Sequence, residues 1–195
     1  GGNAGSVLTS GIQNTLIGGQ AGGAGAITGD LNTMVGFQTG YALTSGAYNV
    51  AVGANALDAA CTGGYNNAVG YIALGANLGG VQNNAFGAGA LDVNTEGNYN
   101  VAIGHDSMGG NISGDNNVGV GKSALYSNTI GTYNTAVGVS ALYTSVDGDF
   151  NTAVGYASLS SMEVGEGEDS FNTAVGAYAG KELSSGIQCT FVGGR

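Results

Sequence analysis

A five-residue phrase returns about every 17 residues along this chain, and so short a period leaves few folds open. The phrase runs Asn14-Thr-Leu-Ile-Gly18, Asn32-Thr-Met-Val-Gly36, Asn49-Val-Ala-Val-Gly53 and onward through Asn134-Thr-Ala-Val-Gly138 to Cys189-Thr-Phe-Val-Gly193. Counted from Gly1, the closing glycines are spaced 17, 18, seven times 17, then 21 and 17 residues apart. A second glycine follows ten residues later at Gly11, Gly46, Gly63, Gly80, Gly97, Gly114, Gly131, Gly148, Gly165 and Gly186. A helical repeat needs about 33 residues for two helices and their turns, and two glycines per unit weaken any helix. Phrases such as Thr-Ala-Val alternate and are β-branched, so they read as short strands. The glycines then mark turns that need positive φ or close backbone approach. Each unit is one coil stacked on the next. The expected fold is all-β, a β-solenoid (β-roll or β-helix) of about eleven 17-residue coils. Residues 1–195 form a single repetitive module, a rod of roughly 50 Å at ~4.8 Å per coil.

Columns of the stack carry the packing. The residue before the closing glycine is large and apolar (Ile17, Val35, Val52, Val69, Phe86, Ile103, Val120, Val137, Val154, Val175, Val192) and is expected to be buried. On that reading Val137→Asp unfolds the rod. The residue before it is small through the middle of the chain, as at Ala51, Ala68, Ala102, Ala136 and Ala153, so something packs closely there. A second apolar column lies four residues past the glycine at Leu57, Leu74, Leu91, Met108, Leu125, Leu142 and Leu159. The Asn column suits a ladder of amides bonding coil to coil. Aromatic residues precede it at Tyr48, Tyr65, Tyr99, Tyr133, Phe150 and Phe171.

Composition narrows the function. The chain has 40 Gly, no Pro and a net charge of −10, with Lys122, Lys181 and Arg195 its only basic residues. Collagen is excluded by the missing Pro and the missing Gly-X-Y period. Nucleic-acid binding needs several Lys or Arg contacts to phosphate, and none of the three cations clusters. The same deficit argues against anionic membranes, and no run of about 18 apolar residues predicts membrane insertion. Cys61 and Cys189 match no metal spacing and no disulfide framework.

The phrase Asn-Thr-Ala-Val-Gly-x-x-Ala-Leu at 134–142 resembles the repeats of bacterial and phage tail-fibre-domain proteins. It is also similar to the Asn-Ser-x-Ala-Ile-Gly repeats in heads of YadA-like trimeric autotransporter adhesins, although those heads use a shorter repeat. The resemblance runs along essentially the whole chain. It implies a trimeric β-roll at a cell or virion surface that attaches to host glycan or matrix.

Several short motifs suggest chemistry. Gly121-Lys122-Ser123 mimics the end of a phosphate-binding loop, yet Asn116 stands where that motif needs its first glycine. His105, Asp106 and Ser107 are the residue types of a hydrolytic triad, which requires convergence in space rather than adjacency. Glu163, Glu166, Glu168 and Asp169 collect in the lengthened coil, one coil after Asp147 and Asp149. Oxygen-rich loops can hold Ca²⁺, so these four are the candidate metal ligands, against the plainer reading of a solvated acidic loop. No catalytic residue and no other cofactor is expected. The aromatic column suits either sugar stacking or a structural ladder, and Asn111-Ile-Ser113 is a glycosylation sequon.

The expected function is therefore non-enzymatic: a structural extracellular fibre or adhesin segment for surface display or attachment, assembling as a homo-oligomer. The alternative is an ice-binding solenoid using Thr15, Thr33, Thr135, Thr152, Thr173 and Thr190, an array broken at Val50, Asn67, Asn84, Val101 and Val118. Coils at both ends exchange the usual Leu for Gly5, Gly22, Gly40 and Gly180, place Leu8, Leu43 and Leu183 three residues later, and enlarge the small column at Leu16, Met34 and Phe191. Bare terminal coils would expose strand edges that template another chain. The ends are thus expected to continue into like coils, in a longer protein or by head-to-tail stacking into a filament.

Overall fold

The computed structural model describes residues 2–162 and 169–194. Eleven three-residue strands appear, one for each phrase: β1 (Thr15–Ile17), β2 (Thr33–Val35), β3 (Val50–Val52), β4 (Asn67–Val69), β5 (Asn84–Phe86) and β6 (Val101–Ile103). They continue with β7 (Val118–Val120), β8 (Thr135–Val137), β9 (Thr152–Val154), β10 (Thr173–Val175) and β11 (Thr190–Val192). All pair in parallel and in chain order within one sheet, residue for residue, as in Thr135↔Thr152 and Val137↔Val154. The fold is a β-solenoid.

The closing glycines explain why the coils can stack so evenly. Gly53 has φ +131° and a side-chain carbon there would overlap the backbone carbonyl of Gly70 in the next coil. The same overlap recurs from Gly18 to Gly176. Any Cβ would therefore push adjacent coils apart.

Inside the rod, the small column and the leucine column meet. Ala51, Ala68, Ala85, Ala102, Ala136, Ala153 and Ala174 are fully buried, as are Leu57, Leu74, Leu91, Met108, Leu125, Leu142 and Leu159. The expected burial of the large apolar column is overturned. Ile17, Val52, Phe86, Ile103, Val137, Val175 and Val192 are exposed, and Val35, Val69, Val120 and Val154 only half-buried. Strand side chains alternate between faces, so a three-residue strand can turn either its middle residue or its two outer residues inward. Leucine from the opposite turn already fills the interior, which leaves room only for Ala on the strand side.

Asparagine wires the coils together. The Oδ1 of each phrase Asn accepts the backbone N–H of the next, from Asn14 through Asn172, as in Asn117 N–H to Asn100 Oδ1 at 2.9 Å. Its Nδ2 donates to a carbonyl at the second-glycine turn, as in Asn100 Nδ2 to Gly114 O at 2.8 Å. A buried polar group so satisfied avoids its desolvation penalty. In the lengthened coil Asn151 finds Ser170 Oγ instead, at 3.1 Å.

Candidate functional site

The outward surface of the sheet is the most extensive feature that the fold presents. At every strand the first and third residues face out, giving one column of Thr, Val or Asn and one of Val, Ile or Phe. No charged residue occupies any position of β1–β11. Within the first of those columns Asn67 Nδ2 donates to Asn84 Oδ1 at 2.8 Å. Threonines fall on consecutive rungs at β8, β9, β10 and β11.

Aromatic residues line the turn leading into the strands. Tyr48 stacks on Tyr65 with ring centroids 4.8 Å apart and planes 2° from parallel. Tyr133, Phe150 and Phe171 form a continuous stack at 5.0 and 4.9 Å. Within these two runs coil spacing places ring against ring, as a structural ladder requires. Tyr99, with Gln82 and Asn116 on the neighbouring coils, stands exposed outside both runs. A further stack, Tyr126 on Tyr143 at 5.3 Å, lies on another turn.

The reactive motifs do not converge. His105 and Lys122 are exposed on adjacent coils, and Ser107 is fully buried with its hydroxyl donating to the Gly119 carbonyl at 2.9 Å. His105 Nδ1 sits 2.8 Å from Asp106 Oδ2, but the serine of the trio points into the rod. Glu163, Glu166 and Glu168 lie outside the described residues. Asp169 is exposed and its backbone bridges Asp149, whose Oδ1 accepts the Thr132 hydroxyl at 3.0 Å. Among the described residues no three His, Cys, Asp or Glu side chains form a metal-holding group. Nor, among them, is any helix long and apolar enough to cross a membrane.

Two polar arrays escaped the sequence reading. Asn77, Asn94, Asn111 and Asn128 form a second buried ladder, each later Nδ2 donating to the previous Oδ1 at 2.8 to 3.0 Å. Their spacing of 17 residues was visible, but the array spans only four coils. Asn111, the acceptor of the sequon, is fully buried in this ladder. Asp30, Asn98, Asp115 and Asp149 make the other array, accepting backbone N–H groups of the preceding coil, as in Asn98 N–H to Asp115 Oδ1 at 2.6 Å. Several of the chain's acids are thus structural.

Two titratable groups depart from their ordinary range. Burial pushes the Cys61 thiol up, against hydrogen bonds with Asn77 and Gly63 that pull it down. Asp92 is also raised, first by burial and then by the nearby carboxylates of Asp58 and Asp106. At the last coil a cavity of about 760 Å³ opens between Tyr178, Gly180, Leu183 and Phe191.

No protein-family model, curated protein or solved structure matches the chain.

Proposed function

We propose that the chain is a structural rod, a segment of an extracellular fibre or adhesin that displays or attaches at a cell or virion surface without catalysis. The observation that supports this most is the continuous Asn ladder, which joins every phrase from β1 to β11 by hydrogen bonds directed along the stack. Such a ladder makes length from repetition and leaves turns free to vary. On this reading copies associate as trimers or end to end, and the partner at the far surface is a host glycan or a matrix component.

One observation favours the alternative. The threonines of β8 to β11 stand outward on successive rungs of a charge-free sheet, an arrangement suited to ordering water at an ice surface. Two measurements on one preparation separate the readings: binding to arrayed host glycans and matrix proteins, and thermal hysteresis at millimolar protein. Binding without hysteresis is the expected result. Hysteresis without binding would move the chain to the ice-binding class.

A further inference from the structure

We infer that the outward face of the sheet is a lateral interface that receives a second copy of this chain. The inference rests on the fibre reading and names the surface through which the fibre would thicken.

The first argument is exposure. Ile17 is 56% exposed, Phe86 42%, Ile103 43%, Val137 37%, Val175 41% and Val192 80%, all in one column of in-register strands. Soluble monomers rarely leave an apolar stripe of more than a few hundred Å² uncovered. Eleven strands at ~4.8 Å and three residues at ~3.3 Å give a face of about 500 Å² per copy. Two such faces total about 1,000 Å², the lower bound of a specific interface.

The second argument is charge. The chain carries 13 acidic and three basic side chains, and none of them lies in β1–β11. Two copies of net charge −10 repel wherever their turns approach each other. The strand face is a long surface on which that repulsion is absent.

Periodicity is the third. Ridges of Val and Ile repeat at the coil spacing along the whole rod, so a second copy matches them rung for rung. A partner of another fold would meet the same ridges over only a few rungs.

The test uses the full chain and sedimentation velocity, with circular dichroism and melting to confirm the fold. The wild-type chain is expected to sediment as an oligomer at micromolar concentration, and Ile103→Glu/Val137→Glu as a folded single chain. Ile112→Glu/Ile130→Glu, on exposed turn positions, is expected to keep the oligomer. A wild-type chain that stays single, or an oligomer indifferent to the strand-face glutamates, overturns the interface. So does dissociation by the turn variant alone. A single wild-type chain that still binds glycan or matrix removes the interface and leaves the fibre reading standing. An oligomer that binds neither supports the interface and counts against attachment.

Discussion

From β3 to β9 the middle of each strand is Ala or Gly, and the fourth residue past the closing glycine is Leu or Met. At β1, β2 and β11 the strand residue is instead Leu16, Met34 or Phe191, and the turn residue facing it is Gly22, Gly40 or Gly180. The contacts show that one side chain has taken the other's space. Met34 Sδ lies 2.8 Å from where a Cβ on Gly40 would stand, and the Phe191 ring lies 2.8 Å from the same point on Gly180. Around Gly22 that space is shared by Ile27 and Leu16, at 2.6 and 3.3 Å. The two regions therefore keep the same cross-section with different residues: central coils fill it from the turn, outer coils from the strand. Interiors packed to crystal-like density demand constant volume more strictly than constant identity.

The sharpest way to break the central arrangement is to charge it. Ala136→Asp places an unpaired carboxylate in the closed interior and is expected to unfold the rod, since burying an ion without a partner costs several kcal/mol. Val137→Asp, one residue on, should change stability by about 1 kcal/mol or less, the range of strand propensity at an outward position. Thermal melts of the two neighbours decide which side of β8 faces in. Equal destabilisation would contradict the assignment.

That pair also measures what the sequence made legible. Period, parallel coils, the leucine column and the first Asn ladder could all be read, because each depends on spacing alone. The facing of the strands could not be read from residue size. A rule that large apolar residues are buried assigns Val137 to the core, yet the interior opposite Leu142 has space only for Ala136. The better signal was the near-uniform Ala column, since small residues repeat where a wall stands close. Reactive groups were harder still. His105, Asp106 and Ser107 look alike in sequence, and only the coil geometry shows that Ser107 is turned inward while His105 is not.

Truncation grades the two regions. Leu91→Ala, in the fully enclosed centre, should cost about 2–5 kcal/mol through lost burial and a cavity. Leu183→Ala, half-buried in the last coil, should cost distinctly less, because that site is partly open already. Denaturant melts of both variants check the gradient, and equal losses would mean that the outer coil is as well packed as the centre.

Converting one coil type into the other tests the exchange itself. Met34→Ala alone should leave a cavity costing about 2–5 kcal/mol, and Gly40→Leu alone should overpack by about 1–3 kcal/mol. Gly40 has φ +57°, but Leu57 and Leu74 occupy the matching position at φ 51° and 52°, so the backbone there accepts leucine. The double variant rebuilds a central-type coil and should be more stable than the sum of the single losses, by a coupling of about 0.5–3 kcal/mol. A double-mutant cycle measures it. Strict additivity would show that the two residues do not share one space.

The smallest effect concerns the outside of the same comparison. Five residues past the closing glycine, the central coil carries Asp92 and the outer coil carries Lys181. Asp92 is raised above its usual 3.8 by burial first, and then by Asp58 and Asp106. A carboxylate raised in the folded state is disfavoured when ionised, so it lowers stability at every pH above its folded pKa. The penalty fades as pH falls through that pKa and is absent below the unfolded value. Asp92→Asn should therefore stabilise the rod slightly at neutral pH, and the gain should shrink as the pH approaches 3.8. The group is partly solvated, so water and salt screen the repulsion, and added salt should shrink the gain as well. Melting temperatures across that pH range, at low and high salt, measure both trends. A gain that persists unchanged into acid would trace the effect to packing or hydrogen bonding at the amide rather than to the three carboxylates.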